Sequence, residues 1–343
     1  MISTITRSCK ALRSNLGYAG VARSRTHATL ASEQTQVSSS ITELPAWVKS
    51  RPFEHIPWTS PKRTKGTIRF LGPTKDGKPA FLNFKKGQEH QTNFGASLEK
   101  VVDVTDLRHF EPQTSLRIEG VEWAHAPTVL SEDRLLAPDT GDVDAFVRGP
   151  YFEECASLVK ERTGAAKAIP YNFRHRRIEH DTNLHDPYKF SKKPLPNFHL
   201  DNDAETAKVN LRRVLGEEEA SRWLRKRWGI INIWRPIGDV VRQWPLALVD
   251  SRTIAYGRDT APIFTLNNYK THFTALRPQS HFNFYYVSNL APDEALLFVD
   301  YDSAHEDNTV VGVAHGAFED HNAPKKVPRR RSIEVRCLVL YED

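Results

Sequence analysis

The sequence predicts a mainly β fold with flanking helices, in which short antiparallel strands form a sandwich or a barrel. The first observation is a series of short apolar segments after Trp228, separated by turns and without a helical pattern between them. Such spacing is typical of antiparallel sandwiches and barrels. The second observation is that the helical patterns precede this series, so the helices are expected to pack outside the sheets. The six predicted strands are 230–234, 246–249, 282–287, 295–301, 310–314 and 333–341.

The N-terminal part of the folded region predicts one hairpin and one irregular segment. Strand-like residues 67–71 and 80–84 flank a turn signal at Asp76-Gly77, which favours a β-hairpin. Residues 101–138 are rich in proline and charge, and they are expected to be irregular.

Two segments before the strands carry helical patterns. Apolar residues recur at helical spacing after Pro150, which predicts a helix over 150–163. Residues 204–227 predict two helices broken at Gly216, because three glutamates from Glu217 onward supply acids to the first turn of a second helix.

The charge of the chain is unevenly distributed. A net charge of +6 and a pI near 9.1 raise nucleic acid or an acidic membrane as partners. Five basic and no acidic residues lie within positions 1–32, however, so the remainder carries only +1. Residues 1–35 are therefore interpreted as an organellar transit-like segment or a disordered basic tail, and residues 36–343 as one domain with its core at about 150–343. Nucleic-acid binding loses most of its support.

The cysteines and the hydropathy pattern limit the protein class further. Cys9, Cys155 and Cys337 have no short spacing, so neither a disulfide framework nor a zinc site is indicated. A reducing compartment fits this pattern best. The longest apolar runs are short pieces such as 246–249, far below the roughly 18 residues that span a bilayer. The expected localisation is intracellular: mitochondrial if the basic segment is a transit peptide, otherwise cytoplasmic.

His199-Leu200-Asp201 is the first candidate for chemistry, because residues two apart on a strand project to the same face and can share a cation. The spacing alone does not select it, since His109/Glu111 and His305/Asp307 have the same spacing. A distant histidine would complete a site of two imidazoles and one carboxylate, the arrangement of non-haem Fe(II) oxygenases. His315 is the candidate, with His305 and His321 as its competitors.

An Arg-x-Ser pair at the start of the last predicted strand suits a carboxylate ligand. Arg330 and Ser332 share a face, and the planar guanidinium can bind both oxygens of a carboxylate. A dicarboxylate co-substrate would be the natural ligand.

At these residues the chain resembles the fungal and bacterial hydroxylase/desaturase family, which includes cephalosporin hydroxylase-like and gibberellin desaturase-like proteins and is related to Fe(II)/2-oxoglutarate-dependent dioxygenases. The resemblance extends from about residue 60 to the C-terminus, and its motifs occur in the order of the family. The resembling stretches are 197–201 (NFHLD), 231–236 (INIWRP), 244–250 (WPLALVD), 293–297 (DEALL) with 301–303 (YDS), and 330–336 (RRSIEVR).

The resemblance implies a double-stranded β-helix, or jelly roll, that binds Fe(II) through His199, Asp201 and His315. Fe(II), 2-oxoglutarate and O2 would be the cofactor and co-substrates, and a small specialised metabolite would be hydroxylated or desaturated. The distal carboxylate of 2-oxoglutarate would lie on Arg330 with Ser332, and Arg336 is the alternative anchor because strand alternation puts it on the same face. No catalytic residue beyond the metal ligands is implied.

The chain departs from the family at two positions. Arg331 stands where an acidic residue is expected, which leaves open which guanidinium binds, and Phe284 stands where a tryptophan is common. Neither departure removes a proposed ligand.

Further residues have two readings each. Asn232 and Tyr285 are candidates for the co-substrate pocket, although Tyr285 is also a good packing residue. Trp234 and Arg235 either line the pocket or tie their strand to the core, and Asp250 is expected to be structural.

Two rival functions stay open at this stage. One is a cupin-like metal enzyme that does not use 2-oxoglutarate, and the other is a non-catalytic protein that binds a small ligand on the same fold. The expected partner is a small-molecule substrate, with neither nucleic acid nor membrane. The oligomeric state is open, with a homodimer as one alternative.

Overall fold

The chain is described here from a computed structural model, which covers residues 62–83, 91–136, 141–177, 194–265, 272–304 and 312–342. The predicted basic segment 1–35 lies outside the described residues. The strands are β1 (Arg63–Phe70), β2 (Ala80–Asn83), β3 (Gln91–Thr92), β4 (Leu98–Asp106), β5 (Val121–His125), β6 (Lys167–Arg177), β7 (His199–Leu200), β8 (Trp228–Pro236), β9 (Leu246–Val249), β10 (Thr260–Thr265), β11 (His272–Leu276), β12 (Phe284–Tyr286), β13 (Glu294–Asp302), β14 (His315–Ala317), β15 (Glu319–Asp320) and β16 (Arg331–Leu340). The helices are α1 (Glu132–Leu136), α2 (Gly141–Phe146), α3 (Phe152–Thr163), α4 (Ala204–Leu215) and α5 (Glu217–Trp223).

The strands form two sheets that pack face to face. The smaller sheet has the order β5-β13-β8-β16-β6, and the larger has the order β15-β1-β4-β12-β9-β14-β7-β11-β10-β2-β3. Trp234 and Phe298 of the smaller sheet pack with Leu248 and Tyr285 of the larger one in a single buried cluster. The chain passes repeatedly between the sheets from β6 to β16, which is the winding of a jelly roll. The predicted mainly β fold with flanking helices is therefore confirmed.

Strand β16 shows how one strand supplies both a core and an interior polar face. Alternate residues, such as Ile333 and Val335, join the apolar cluster that contains Val159 of α3. Ser332 and Arg336 belong to the opposite face, because successive side chains on a strand point to opposite sides. Helix α3 thus covers one side of the sheet, and the polar residues of β16 point between the sheets.

The larger sheet extends beyond the jelly-roll core at both ends. At one end, β12 pairs with β4, which pairs with β1. At the other end, β7 pairs with β11, which pairs with β10, and β10 pairs in parallel with β2. The N-terminal strands therefore become neighbours of the proposed iron-binding region.

The two predicted helical segments are confirmed. The helix predicted over 150–163 is α3, which ends at Gly164 in the left-handed conformation, with φ 68°. Helices α4 and α5 are separated at Gly216, which has φ 78°, a value that favours glycine. The Asp203 carboxylate accepts a hydrogen bond from the Thr206 amide at the start of α4 and caps it.

Three predicted elements were wrong. Strands β1 and β2 do form, but β1 pairs with β4 and β15 while β2 pairs with β10 and β3, so there is no hairpin between them. The segment expected to be irregular contains most of β4 and all of β5, because sheet pairing outweighs the local composition there. The strand predicted at 310–314 is replaced by β14, which begins at His315.

The helices give one further result. Among the described residues, no helix combines the length and the apolar character needed to cross a membrane.

Gly316 is expected to be required for close packing beside the proposed site. A Cβ at this position would lie 2.6 Å from a ring carbon of Phe198 and 3.2 Å from the Pro196 carbonyl oxygen. Because Phe198 is fully buried, Gly316→Ala should destabilise the fold by about 1–3 kcal/mol in urea unfolding. Gly95→Ala is the control, since its Cβ would meet only the Pro73 carbonyl oxygen at 3.6 Å. Equal stability of the two variants would contradict this packing argument.

Candidate active site

His199, Asp201 and His315 converge between the two sheets. One potential ligand atom from each residue lies within 4.8 Å of the others, and all three residues are buried. Nε2 of His199 lies 3.6 Å from Oδ1 of Asp201, and Nε2 of His315 lies 3.8 Å from Oδ2 of the same carboxylate. Two imidazole nitrogens and one carboxylate at these separations match the donor set of a non-haem iron centre.

Strand register brings the two histidines together. His199 on β7 pairs directly with His315 on β14, and their ring centroids are 4.6 Å apart. Phe198 and Leu200, which flank His199, enter the apolar cluster on the opposite face of the sheet. The alternation of β7 therefore fixes His199 toward the interior, and Asp201 follows it on the same side.

Both imidazoles are oriented by backbone carbonyls. Nδ1 of His199 is 2.8 Å from the carbonyl oxygen of Asn197, and Nδ1 of His315 is 3.1 Å from that of Val313. An Nδ1–H that donates to a carbonyl leaves the Nε2 lone pair free for a metal, as in many metal-binding histidines. Burial, together with His199, lowers the pKa of His315, which keeps that ring in the neutral form that ligates metal.

Asp201 is held ionised by its surroundings. Burial works to raise the pKa of its carboxyl, but Arg336 and the two imidazoles outweigh burial, and the pKa lies well below its usual range. Oδ2 accepts hydrogen bonds from Nδ2 of Asn232 at 3.0 Å and from Arg336, whose Nη2 is 2.7 Å away. Oδ1 remains directed toward His199, where it can serve as a ligand.

A second buried carboxyl lies near the three ligands. Asp300 on β13 accepts a hydrogen bond from the Asn202 amide, and Asn202 in turn accepts one from Asn210 of α4 at 2.7 Å. Burial, followed by the charge of Asp201, raises the pKa of Asp300 well above its ordinary value. The chain Asp300–Asn202–Asn210 thus fixes the backbone directly after Asp201.

Arg330 is a buried guanidinium without a carboxylate partner among the described residues. Nε donates to Oγ of Ser332 at 3.4 Å, Nη1 donates to the carbonyl of Trp244, and the guanidinium lies 4.8 Å from the ring centroid of Trp234. Burial, reinforced by nearby Arg176, lowers the pKa of Arg330 to about 9. A carboxylate ligand would relieve this cost, because it supplies the missing charge and accepts the remaining N–H groups.

The site extends along two neighbouring strands. Arg336 and Asn232, which both contact Asp201, are register partners on β16 and β8. Trp234, which lies against Arg330, is two residues farther along β8 and is the register partner of Glu334. Two residues correspond to about 7 Å along a strand, so the two ends of the site could be bridged by a short dicarboxylate.

The other predicted pocket residues fall in different places. Ser332 contacts Arg330, as described above. Tyr285 packs against Phe110 and donates to Asp250 at 3.0 Å, and no contact with the three proposed ligands is observed. Asp250 also binds Arg252, with 2.7 Å between Oδ2 and Nη2, which is the structural role expected of it.

Trp234 and Arg235 point to opposite sides of β8. Trp234 faces the interior, whereas Arg235 is fully buried on the other side and pairs with Glu154 of α3 at 3.0 Å. Arg235 therefore ties its strand to the helix and is not part of the pocket.

The structure separates the competing histidines and arginines. His321 is exposed and bonds Thr67 Oγ1 at 2.8 Å, away from the proposed ligands, and His305 lies outside the described residues. Arg331 pairs with Glu132 of α1, so this departure from the family pattern points out of the pocket. Arg336 already pairs with Asp201 and Glu334, which leaves Arg330 as the better anchor for a carboxylate.

Sequence reasoning missed several groups in this region. Glu334 binds Arg336 at 3.3 Å, and its position two residues away on the same strand could have revealed it. Asp300 gave no motif, because its role depends on the fold. Trp244 has φ 51°, uncommon for a residue other than glycine, and its carbonyl receives Arg330.

Comparisons with known proteins agree with this geometry. Residues 68–340 match the family model described as Oxidoreductase/YMDC permease-like domain. Oxidoreductase R1 of Phoma sp. is 32% identical over 81% of this chain and 97% of its own. The Fe(II)/2-oxoglutarate-dependent dioxygenase nvfI of Aspergillus novofumigatus is 33% identical over 75% of this chain and 88% of its own.

A hydroxylase/desaturase and a solved structure extend the comparison. Hydroxylase/desaturase efuI of Hormonema carpetanum is 29% identical over 81% of this chain and 95% of its own. The structure of the iron and alpha-ketoglutarate-dependent endoperoxidase NvfI superposes with a TM-score of 0.68 and 28% identity, covering 82% of this chain and 99% of that chain.

Proposed function

This chain belongs to the Oxidoreductase/YMDC permease-like domain family and is an Fe(II)/2-oxoglutarate-dependent oxidoreductase, and from that premise we propose the roles of its residues. His199, Asp201 and His315 bind Fe(II), and Arg330 with Ser332 binds the distal carboxylate of 2-oxoglutarate. The reaction is hydroxylation or desaturation of a small specialised metabolite. The observation that carries the proposal is the buried donor set next to a buried arginine without an anionic partner.

The chemistry comes from the bound iron, which with O2 and 2-oxoglutarate supplies an oxidant for an unactivated C–H bond while the keto acid is converted to succinate and carbon dioxide. The residues around it hold the ligands in place. The carbonyls of Asn197 and Val313 orient the imidazoles, and Asn232 and Arg336 hold one oxygen of Asp201. Such outer partners are needed for tight metal binding.

Apolar side chains separate the site from bulk water. The Phe298 ring lies 4.7 Å from that of His315, and Trp234 covers the guanidinium of Arg330. Exclusion of water strengthens the interaction between Arg330 and an anion, because charges attract more strongly in a low dielectric. A cupin-like enzyme that does not use 2-oxoglutarate would have no use for this buried cation.

The remaining features of the proposal rest on the sequence. The partner is a small-molecule substrate, with neither nucleic acid nor membrane, and a homodimer is one alternative for the assembly. The enzyme acts inside the cell: in mitochondria if the basic segment 1–35 is a transit peptide, otherwise in the cytoplasm.

Reconstitution of the metal-free protein tests the proposal. We expect the anaerobic protein to bind one equivalent of Fe(II) and then, on exposure to O2, to convert 2-oxoglutarate to succinate at a slow uncoupled rate. Protein loaded with Zn²⁺ is the control and should form no succinate, because zinc has no redox chemistry. Fe(II) binding without succinate formation would favour the enzyme that does not use 2-oxoglutarate. Failure to bind Fe(II) would favour a non-catalytic ligand-binding protein.

A further inference from the structure

An apolar groove runs alongside His199 on the extended part of the larger sheet. Ala275 of β11 is the register partner of His199, and Phe273 is two residues away on the same face. Ile263 of β10 pairs with Phe273, and β10 continues into β2, where Leu82 is in register with Thr265. Alternation therefore places Phe273, Ala275, Ile263 and Leu82 on the side of the sheet that carries His199.

The groove is continuous with the proposed iron-binding site. Its lining includes these four side chains, Phe94 and His199 itself, and it encloses ≈ 600 Å³ counting its open mouth. That is the size of a small-molecule pocket. Phe273 also lines a second, polar cavity that contains Asp201 and Arg336. The proposed ligands thus lie between an apolar groove on one side and polar groups on the other.

The groove offers little to a polar substrate. Apart from His199, none of its described lining residues is ionisable. The side-chain oxygen of Asn197, its other polar residue, already accepts a hydrogen bond from Ser97 at 2.7 Å. A sugar, nucleotide or amino acid bound here would lose its hydrogen bonds to water without gaining protein partners, which is unfavourable.

We propose that this groove binds the carbon skeleton of the substrate, and that the substrate is an apolar ring- or chain-type metabolite. This inference rests on the proposed function, because His199 at the end of the groove places the apolar skeleton beside the oxidising centre. The co-substrate approaches from the other direction, where Arg330 and Trp234 lie on β16 and β8. The N-terminal strand β2 therefore determines specificity, and the jelly-roll core holds the iron.

Binding of simple probes to the iron-free protein tests this inference. The probes are decahydro-2-naphthol, a fused-ring alcohol with one polar group, and glucose, and their affinities are measured by calorimetry. We expect the fused-ring alcohol to bind and glucose not to bind. Ile263→Asp should weaken binding of the alcohol at least tenfold, because it places an unpaired charge in the groove. Ile263→Phe, which keeps the wall apolar and fills the space, should also weaken it.

Val101→Asp is the matched control, since Val101 on β4 is 62% exposed and outside the groove. It should leave the affinity for the alcohol unchanged. Preferential binding of glucose, no binding of the alcohol, or an affinity that Ile263→Phe does not change would overturn the inference. Its failure can be told from failure of the proposed function. Iron and 2-oxoglutarate binding by the Ile263 variants should match the wild type, whereas a protein without that function would not bind them at all.

Discussion

Replacing His199 with alanine is expected to abolish Fe(II) binding and to lower succinate formation by more than about 100-fold. Loss of groups that merely orient a metal ligand costs about 10- to 100-fold in affinity or activity, and loss of the ligand itself should cost more. The change should leave the fold intact, because the one hydrogen bond lost is that between Nδ1 and the Asn197 carbonyl. Anaerobic titration of the metal-free protein with Fe(II), followed by a succinate assay, measures both effects.

His321→Ala is the control for this experiment. His321 is an alternative third ligand from the sequence, but it is exposed and bonded to Thr67. We expect its alanine variant to bind iron and form succinate like the wild type. Loss of iron from the His321 variant, with iron retained by the His199 variant, would show that the metal is held elsewhere.

The sequence predicted the fold class and the three proposed ligands well, because both depend on local patterns and ordered motifs. Strand β9 occupies the predicted residues 246–249, since that apolar run leaves few alternatives. His315 could be proposed only from motif order. What makes it a partner of His199 is the pairing of β14 with β7, and that register arises from the whole sheet. His199, Asp201 and His315 are thus brought together by the fold.

Other features could not be read from the sequence for physical reasons. Residues 64–84 predicted a hairpin because the turn signal is real: Gly77 does have φ 67°. The pairing of β1 with β4 is longer, with eight residues in register, and outweighs the turn. Asp300 had no motif, since its burial and its bond to Asn202 exist only in the folded protein. The run Arg329–Arg331 was ambiguous until strand alternation separated Arg330 from Arg331.

The charges between the sheets explain why Arg330 and Arg336 have different roles. Burial disfavours the charged form of Arg336, but Asp201 and Glu334 outweigh it and raise the pKa of Arg336. This arginine is thus compensated before any ligand binds. Arg330 is close to Arg176 and has no carboxylate within ion-pair distance among the described residues, so it gains most from an added anion. An uncompensated buried charge costs stability, which is consistent with a binding role.

Arg330→Leu is therefore expected to raise the 2-oxoglutarate concentration needed for half-maximal succinate formation by at least about 30-fold. Removing one partner of a buried charged hydrogen bond costs about 2–5 kcal/mol, and 1.4 kcal/mol corresponds to tenfold. Leucine keeps an apolar contact with Trp234, so urea unfolding should show no loss of stability. Fe(II) affinity should change less than about threefold, because no bond joins Arg330 to the three ligands and the group at the metal end is left in place.

Two neighbouring arginines make this test specific. Arg331→Leu should leave 2-oxoglutarate binding unchanged, since its side chain pairs with Glu132 outside the pocket. Arg336→Leu should instead weaken Fe(II) binding, because Asp201 loses the guanidinium that holds its Oδ2 atom at 2.7 Å. If Arg336→Leu raised the requirement for 2-oxoglutarate while iron stayed bound, and Arg330→Leu did not, Arg336 would be the anchor. The position of Arg330 over Trp234, without a carboxylate of its own, favours the first outcome.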